Sequence, residues 1–145
     1  MAGRAPVFSR AVALTVCVAA VAGAWSFPSE RISFKQGCGR ASARGHLIGP
    51  HRSELDYIVI AKAGQTLEVE LLTDFPEVYY NLLGPRGDEK PIVNTSRTGD
   101  RKWSGALSES GEYRVRVYLL RRAARAGTTA SFKLRFAMPP TPAAD

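Results

Sequence analysis

Arg121, Arg122 and Arg125 stand within five residues, spaced by the small Ala123 and Ala124. A guanidinium is planar, carries five N–H donors in a fixed fork and keeps its charge. A cluster of them captures carboxylates and breaks no bond itself. The cluster follows directly on a segment, Glu112 to Leu120, in which Tyr113, Val115, Val117 and Leu119 alternate with Arg114, Arg116, Tyr118 and Leu120. Period-two alternation marks a strand with one face in a core. A rigid strand thus delivers the cations to the surface, and Arg121 and Arg125 would share one side of a helical turn. Arg121, Arg125, Arg122 and Tyr118 are the candidate partner-binding residues. The same arginines also suit a plain solvated turn that guards a sheet edge against aggregation. Arg114 and Arg116, on the exposed side of the strand, read as solubility.

Other reactive residue types do not assemble into a site. His46 and His51 lie five apart, which is not the spacing of a helical metal pair, and no further Cys or His set completes a zinc site. They read as polar groups on a strand and its following turn. Glu68 and Glu70 would sit side by side on one exposed strand row, whereas glycoside hydrolysis needs two carboxylates across a substrate. Asp74, Asp88, Glu89 and Asp100 are loop acids without calcium-loop spacing. No nucleophile elbow and no phosphate loop occurs. The expectation is a protein that is not an enzyme, with no cofactor and no metal.

Apolar periodicity is two almost everywhere. Strands are expected at Ile32–Phe34, Ala41–Leu47, Leu55–Ala61, Thr66–Leu72, Val78–Leu83, Pro91–Asn94, Lys102–Leu107, Glu112–Leu120 and Ser131–Phe136. Breakers separate them: Gly49-Pro50, Gly64, Gly84-Pro85, Gly87-Asp88, Thr98-Gly99-Asp100, Ser110-Gly111 and Ala126-Gly127. Short strands with a turn signal every ten or so residues predict an all-β fold, a single antiparallel β-sandwich or jelly roll of about eight strands. The one candidate helical turn is Arg121 to Arg125. Trp103 reads as core or rim packing.

The chain opens with Arg4 and Arg10 and no acid, continues through an apolar run from Ala11 to Ala22, and offers Ala22-Gly23-Ala24. That pattern predicts a secretory signal peptide over 1–24, cut after Ala24. The apolar run is short for a transmembrane helix, so no integral membrane segment is expected after cleavage. A lipoprotein anchored at Cys17 is the rival, disfavoured by the bulky Val16 before it. Cleavage would leave 18 basic against 13 acidic residues, a net charge of +5 in place of +7. The remaining domain, 25–137, would be followed by a frayed proline- and alanine-rich tail, 138–145. Cys38 would then stand alone, read as a small buried hydrophobe.

Several runs resemble the periplasmic inhibitors of g-type (goose-type) lysozyme. They are Asp56-Tyr57, Ala63-Gly64-Gln65-Thr66-Leu67, Tyr80-Asn81-Leu82-Leu83-Gly84-Pro85, Trp103-Ser104-Gly105 with Leu107, and Gly111-Glu112-Tyr113 with Val115-Arg116-Val117-Tyr118-Leu119. Arg121, Ala123-Ala124-Arg125 and Thr129-Ala130 close the series, which runs from about Ile32 to Phe136. The run from Val117 to Arg125 is the specific part. The pieces around Ala63 and Gly111 also resemble the wider class of prepeptidase C-terminal β-sandwich domains. The resemblance implies a secreted, periplasmic β-sandwich that binds g-type lysozyme and blocks its cleft. It also implies that a protruding loop with two arginines four apart, matching Arg121 and Arg125, does much of the blocking. Arg122 departs from that pattern, where a small polar residue is typical, and Arg40, Arg44 and Arg52 make the early strands unusually basic.

Two other functions remain open on the sequence. One is a glycan- or peptidoglycan-binding module without inhibitory activity, with Tyr79, Tyr80 and Trp103 as a stacking platform. The other is binding to anionic polymers through the positive charge. The leader argues against DNA, so no nucleic-acid partner is expected.

Overall fold

The computed structural model describes Gly3 and residues 28–34, 39–87 and 90–140. The expected leader apart from Gly3, the isolated Cys38, the loop acids Asp88 and Glu89, and the last five residues lie outside the described residues. No helix among the described residues is long and apolar enough to cross a membrane.

The chain folds as an all-β sandwich. Its strands are β1 (Ser29–Arg31), β2 (Arg40–Ile48), β3 (Glu54–Ala61), β4 (Thr66–Leu72), β5 (Val78–Leu83), β6 (Val93–Asn94), β7 (Lys102–Ala106), β8 (Gly111–Leu119) and β9 (Thr129–Ala137). Two short helices interrupt them, α1 (Thr95–Thr98) and α2 (Arg121–Arg125). One sheet has the order β1-β3-β8-β5-β6 and the other β2-β9-β4-β7. Pairing is antiparallel throughout except β1 with β3, which is parallel.

Alternation in the sequence becomes inside and outside in the sandwich. Leu67, Val69 and Leu71 of β4 share one buried core with Val78, Tyr80 and Leu82 of β5 and Val115 and Val117 of β8. Each such side chain contributes about 1.5–3 kcal/mol by leaving water. Two contacts tie the sheets together. The Tyr80 hydroxyl on β5 donates to the Val69 carbonyl on β4 at 3.0 Å, and Tyr57 on β3 meets Phe132 on β9 edge to face, with ring centroids 6.0 Å apart. The second contact exists because residue 45 is glycine: a Cβ there would lie 2.5 Å from the Phe132 ring and 2.6 Å from the Tyr57 hydroxyl.

The strand pattern expected at Ile32–Phe34 is not a strand. The pairing lies just before it, at Ser29–Arg31, and Ile32 instead drops into the core. β6 is cut to two residues because Thr95 takes over the next rung. Its buried hydroxyl accepts from the Tyr80 amide and donates to the Tyr80 carbonyl, both at 2.9 Å. The chain then turns into α1, which Gly99 closes in the left-handed conformation at φ 76°. At the other end, Met138 packs on the core and its amide donates to the Gly39 carbonyl at 2.7 Å. Ordered contacts therefore reach into the first residue of the segment expected to be tail.

Candidate functional site

α2 forms where the sequence placed a helical turn. It is the connection between β8 in one sheet and β9 in the other. Helical spacing turns Ala123 and Ala124 inward, the first buried and the second packed on the core, while Arg121, Arg122 and Arg125 are exposed. Small inner residues let the turn lie close to the sandwich, and the arginines then project from it.

The backbone of this turn is tied down on every side. The Leu119 amide donates to the Ser53 carbonyl and the Leu120 amide to the Glu77 carbonyl, each at 2.9 Å. Gly49 donates to Thr128 at 3.0 Å, and Thr128 to Ala123 at 3.1 Å. Gly49 also makes room for the turn: a Cβ at that position would lie 2.5 Å from the Cα and carbonyl oxygen of Ala124. The segments after β2 and β4 thus brace α2, although they lie far from it in sequence.

Among the described residues none of the three guanidinium groups has a hydrogen bond or ion pair, and the ion pairs found there lie elsewhere. Like charges one helical turn apart repel, by about 0.2–0.5 kcal/mol on an isolated helix. No acid stands in the first turn to relieve them. Their donors are free for an external partner. Nothing at α2 can act as nucleophile or proton acceptor, and among the described residues no group of His, Cys, Asp and Glu could hold a metal ion.

Tyr118 is not part of this cluster. It lies on the outer face of β8, its ring 6.4 Å from that of Tyr79 and its hydroxyl 3.4 Å from Asn94 Oδ1. The solubility reading of Arg116 also changes. Arg116 holds Asp56 in a two-point contact, Nε to Oδ1 at 2.8 Å and Nη2 to Oδ2 at 3.0 Å. Glu54 lies 3.9 Å away, and Arg114 Nε is 3.5 Å from the second Asp56 oxygen. Asp56 is only 3 % exposed, so its charge needs that partner. The hydrogen bond to Asp56 in turn raises the Arg116 pKa above its ordinary value. The sequence carried a signal for this pair: an acid inside the apolar run Leu55-Asp56-Tyr57, one register step across from an arginine strand.

The stacking platform of Tyr79, Tyr80 and Trp103 is not assembled. Tyr80 is wholly buried, and burial pushes its hydroxyl pKa well above the usual range. Trp103 is on the opposite sheet, half-buried against the core and lying over Gly105, where a Cβ would strike the indole. His46 is on β2 and His51 in the following turn, as their types suggested. Glu68 and Glu70 share the outer row of β4, with Glu70 3.6 Å from Arg135.

No family model matches the chain, and no curated protein matches it. Solved structures do. The crystal structure of Aeromonas hydrophila PliG, a periplasmic lysozyme inhibitor of g-type lysozyme, aligns with a TM-score of 0.68 at 28 % identity, covering 77 % of this chain and 96 % of that one. Salmonella Typhimurium PliG, with the same description, aligns at 0.62 and 20 % identity over 78 % of this chain and 99 % of its own. The pre-peptidase C-terminal domain of Bacillus anthracis collagenase shares the fold at 0.53 and 11 % identity, over 75 % and 92 % of the two chains. The structural neighbours of this sandwich are therefore periplasmic inhibitors of g-type lysozyme, with a prepeptidase C-terminal domain among them.

Proposed function

We propose that this chain is a proteinaceous inhibitor that binds g-type lysozyme and blocks its active-site cleft with α2. The observation that carries the reading is a braced turn bearing three exposed arginines without a partner among the described residues, on a fold whose neighbour at 28 % identity is such an inhibitor. A lysozyme must keep a carboxylic acid in its cleft to protonate the glycosidic oxygen. A guanidinium inserted there pairs with that acid and with the polar groups that hold sugar hydroxyls.

The magnitudes favour such an anchor. Close charge pairs at a protein interface couple by about 1.5–7 kcal/mol, far above the ~0–1 kcal/mol of an exposed pair. Arg121 and Arg125 are the two anchors, with Arg122 beside them. Tyr118, held by Tyr79 and Asn94, supports the strand end rather than the contact. Because the backbone of the turn is already fixed, binding orders only the arginine side chains, which limits the entropy cost. A leader over 1–24 removed after Ala24, release of the 25–137 domain to the periplasm and absence of catalytic activity complete the proposal.

The test is a turbidity assay. Residues 25–145 are titrated into a g-type lysozyme clearing a peptidoglycan suspension, with a c-type lysozyme in parallel. Stoichiometric inhibition of the g-type enzyme alone supports the reading. Clearing unaffected by excess protein overturns it.

A further inference from the structure

The outer face of the four-stranded sheet carries a second set of cations, remote in role from α2. On β2 the outward residues are Arg40, Ser42, Arg44 and His46, and on β9 they are Ser131, Lys133 and Arg135. The strand register sets Arg44 directly opposite Lys133 and Ser42 opposite Arg135. Like charges placed opposite each other on antiparallel strands destabilise the sheet. Among the described residues no carboxylate lies within ion-pair distance of Arg40, Arg44 or Lys133, and Arg135 has Glu70 at 3.6 Å. Four cations thus share two neighbouring strands, with Glu30, Glu68, Glu70 and Asp74 at the margins.

We propose that this strip is a binding site for a linear anionic polysaccharide lying along β2 and β9. Three features select that ligand. First, strand geometry sets the Cβ atoms that carry the cations about 5 Å apart across the strands and about 7 Å apart along them, an interval comparable to one sugar unit. Second, the strip is narrow. Glu68 and Glu70 border it on β4, and Glu30 lines its other side, beside a groove of about 740 Å³ that also includes Ser33, Arg40 and Lys133. A flat anionic membrane would press its charge onto those carboxylates as well, whereas a single chain avoids them. Third, no aromatic side chain faces outward here, since Phe132 and Phe136 are buried in the core. Single-stranded nucleic acid is held by stacking its bases on such rings. Ser42, Ser131 and His46 instead offer hydrogen bonds of the kind that sugar hydroxyls use.

The site is independent of lysozyme inhibition, and its test separates the two. The probe is an octamer of α-1,4-linked galacturonic acid, titrated by calorimetry into residues 25–145 at 50 and 150 mM NaCl. Uncharged maltooctaose, an oligothymidylate of equal charge and anionic phospholipid vesicles serve as comparisons. The expected result is binding of the octagalacturonate that weakens with salt and exceeds that of all three comparisons. Arg44→Gln with Lys133→Gln weakens it at least tenfold while lysozyme inhibition is retained. The same double variant melts no lower than the parent, because it removes a repulsive pair. Arg121→Glu with Arg125→Glu leaves octagalacturonate binding in place. Failure of the octagalacturonate to bind, tighter binding of the oligothymidylate or vesicles, or loss through the α2 variant in place of the strip variant overturns the proposal.

Discussion

Gly49 lies against the backbone of Ala124, so close that a single added carbon at 49 would stand 2.5 Å from the Ala124 Cα and carbonyl oxygen. Gly49 is not among the glycines with positive φ, and a Cβ there is excluded by lack of space. Gly49→Ala must push α2 outward, at a cost of about 1–3 kcal/mol for overpacking. It should lower both urea stability and inhibitory potency. Gly64→Ala is the control. That residue has φ 88° with open space around it, so the substitution strains the backbone far from α2 and lowers stability with potency unchanged.

Charge reversal at Arg121 together with Arg125 should abolish inhibition of a g-type lysozyme. Both side chains are exposed and unpaired among the described residues, so the melting temperature should move by no more than about 2 °C, in line with surface substitutions. Potency of the parent should fall as salt rises from 50 to 500 mM. Full inhibition by the double variant would refute the arginine-turn model.

Arg116→Met removes the two-point partner of a nearly buried carboxylate. Breaking a buried pair from one side costs about 3–5 kcal/mol, and Arg114 at 3.5 Å from Asp56 offsets part of it. A loss near 3 kcal/mol in urea unfolding is expected. Asp56→Leu combined with Arg116→Met should recover most of that loss, since no buried charge is then left alone. A double variant as unstable as the single one would show that the pair is not the cause.

The buried tyrosines set the alkaline limit. Burial is the main cause that pushes the Tyr57 hydroxyl from 10.0 up to about 12, and the same cause raises Tyr80. In the unfolded chain these phenols ionise near 10, while in the fold they remain protonated. The unfolded state therefore binds fewer protons above that pH, and unfolding is favoured as pH rises. Stability should be constant with respect to these groups below about pH 9 and decline from about pH 10 to 12. Tyr57→Phe should flatten part of that decline, measured by urea midpoints across the range. An unchanged profile in the variant would remove Tyr57 from the explanation.

Much of the sandwich was legible in the chain because inward and outward positions alternate cleanly. Thr66–Leu72 and Val78–Leu83 are the strands β4 and β5 to the residue. The turn at Arg121–Arg125 was legible from its arginine and alanine spacing. Local pattern failed where a distant partner decides. The first strand is fixed by parallel pairing of Ser29–Arg31 with β3, which apolar alternation at Ile32 and Phe34 does not encode. Three of the four residues of α1, Thr95, Ser96 and Thr98, are weak helix formers, and the turn is held by the contact between Thr95 and Tyr80. Arg116 looked like surface because its period-two neighbours are outward, and its role appears only when β3 brings Asp56 beside it. The bracing of α2 by Gly49, Ser53 and Glu77 is likewise a property of the assembled sandwich.

α2 joins β8 and β9, each an internal strand of its own sheet. Changes in the outer strands β1, β6 and β7, none of which is followed by a segment bracing α2, leave the arginines in place. The three outward side chains can also be traded without disturbing the interior, provided positions 49, 123 and 124 stay small. Under the proposed inhibitory role, a target enzyme that changes its cleft is followed by exchanging a few codons in one turn, so an arms race would leave its record in residues 121, 122 and 125.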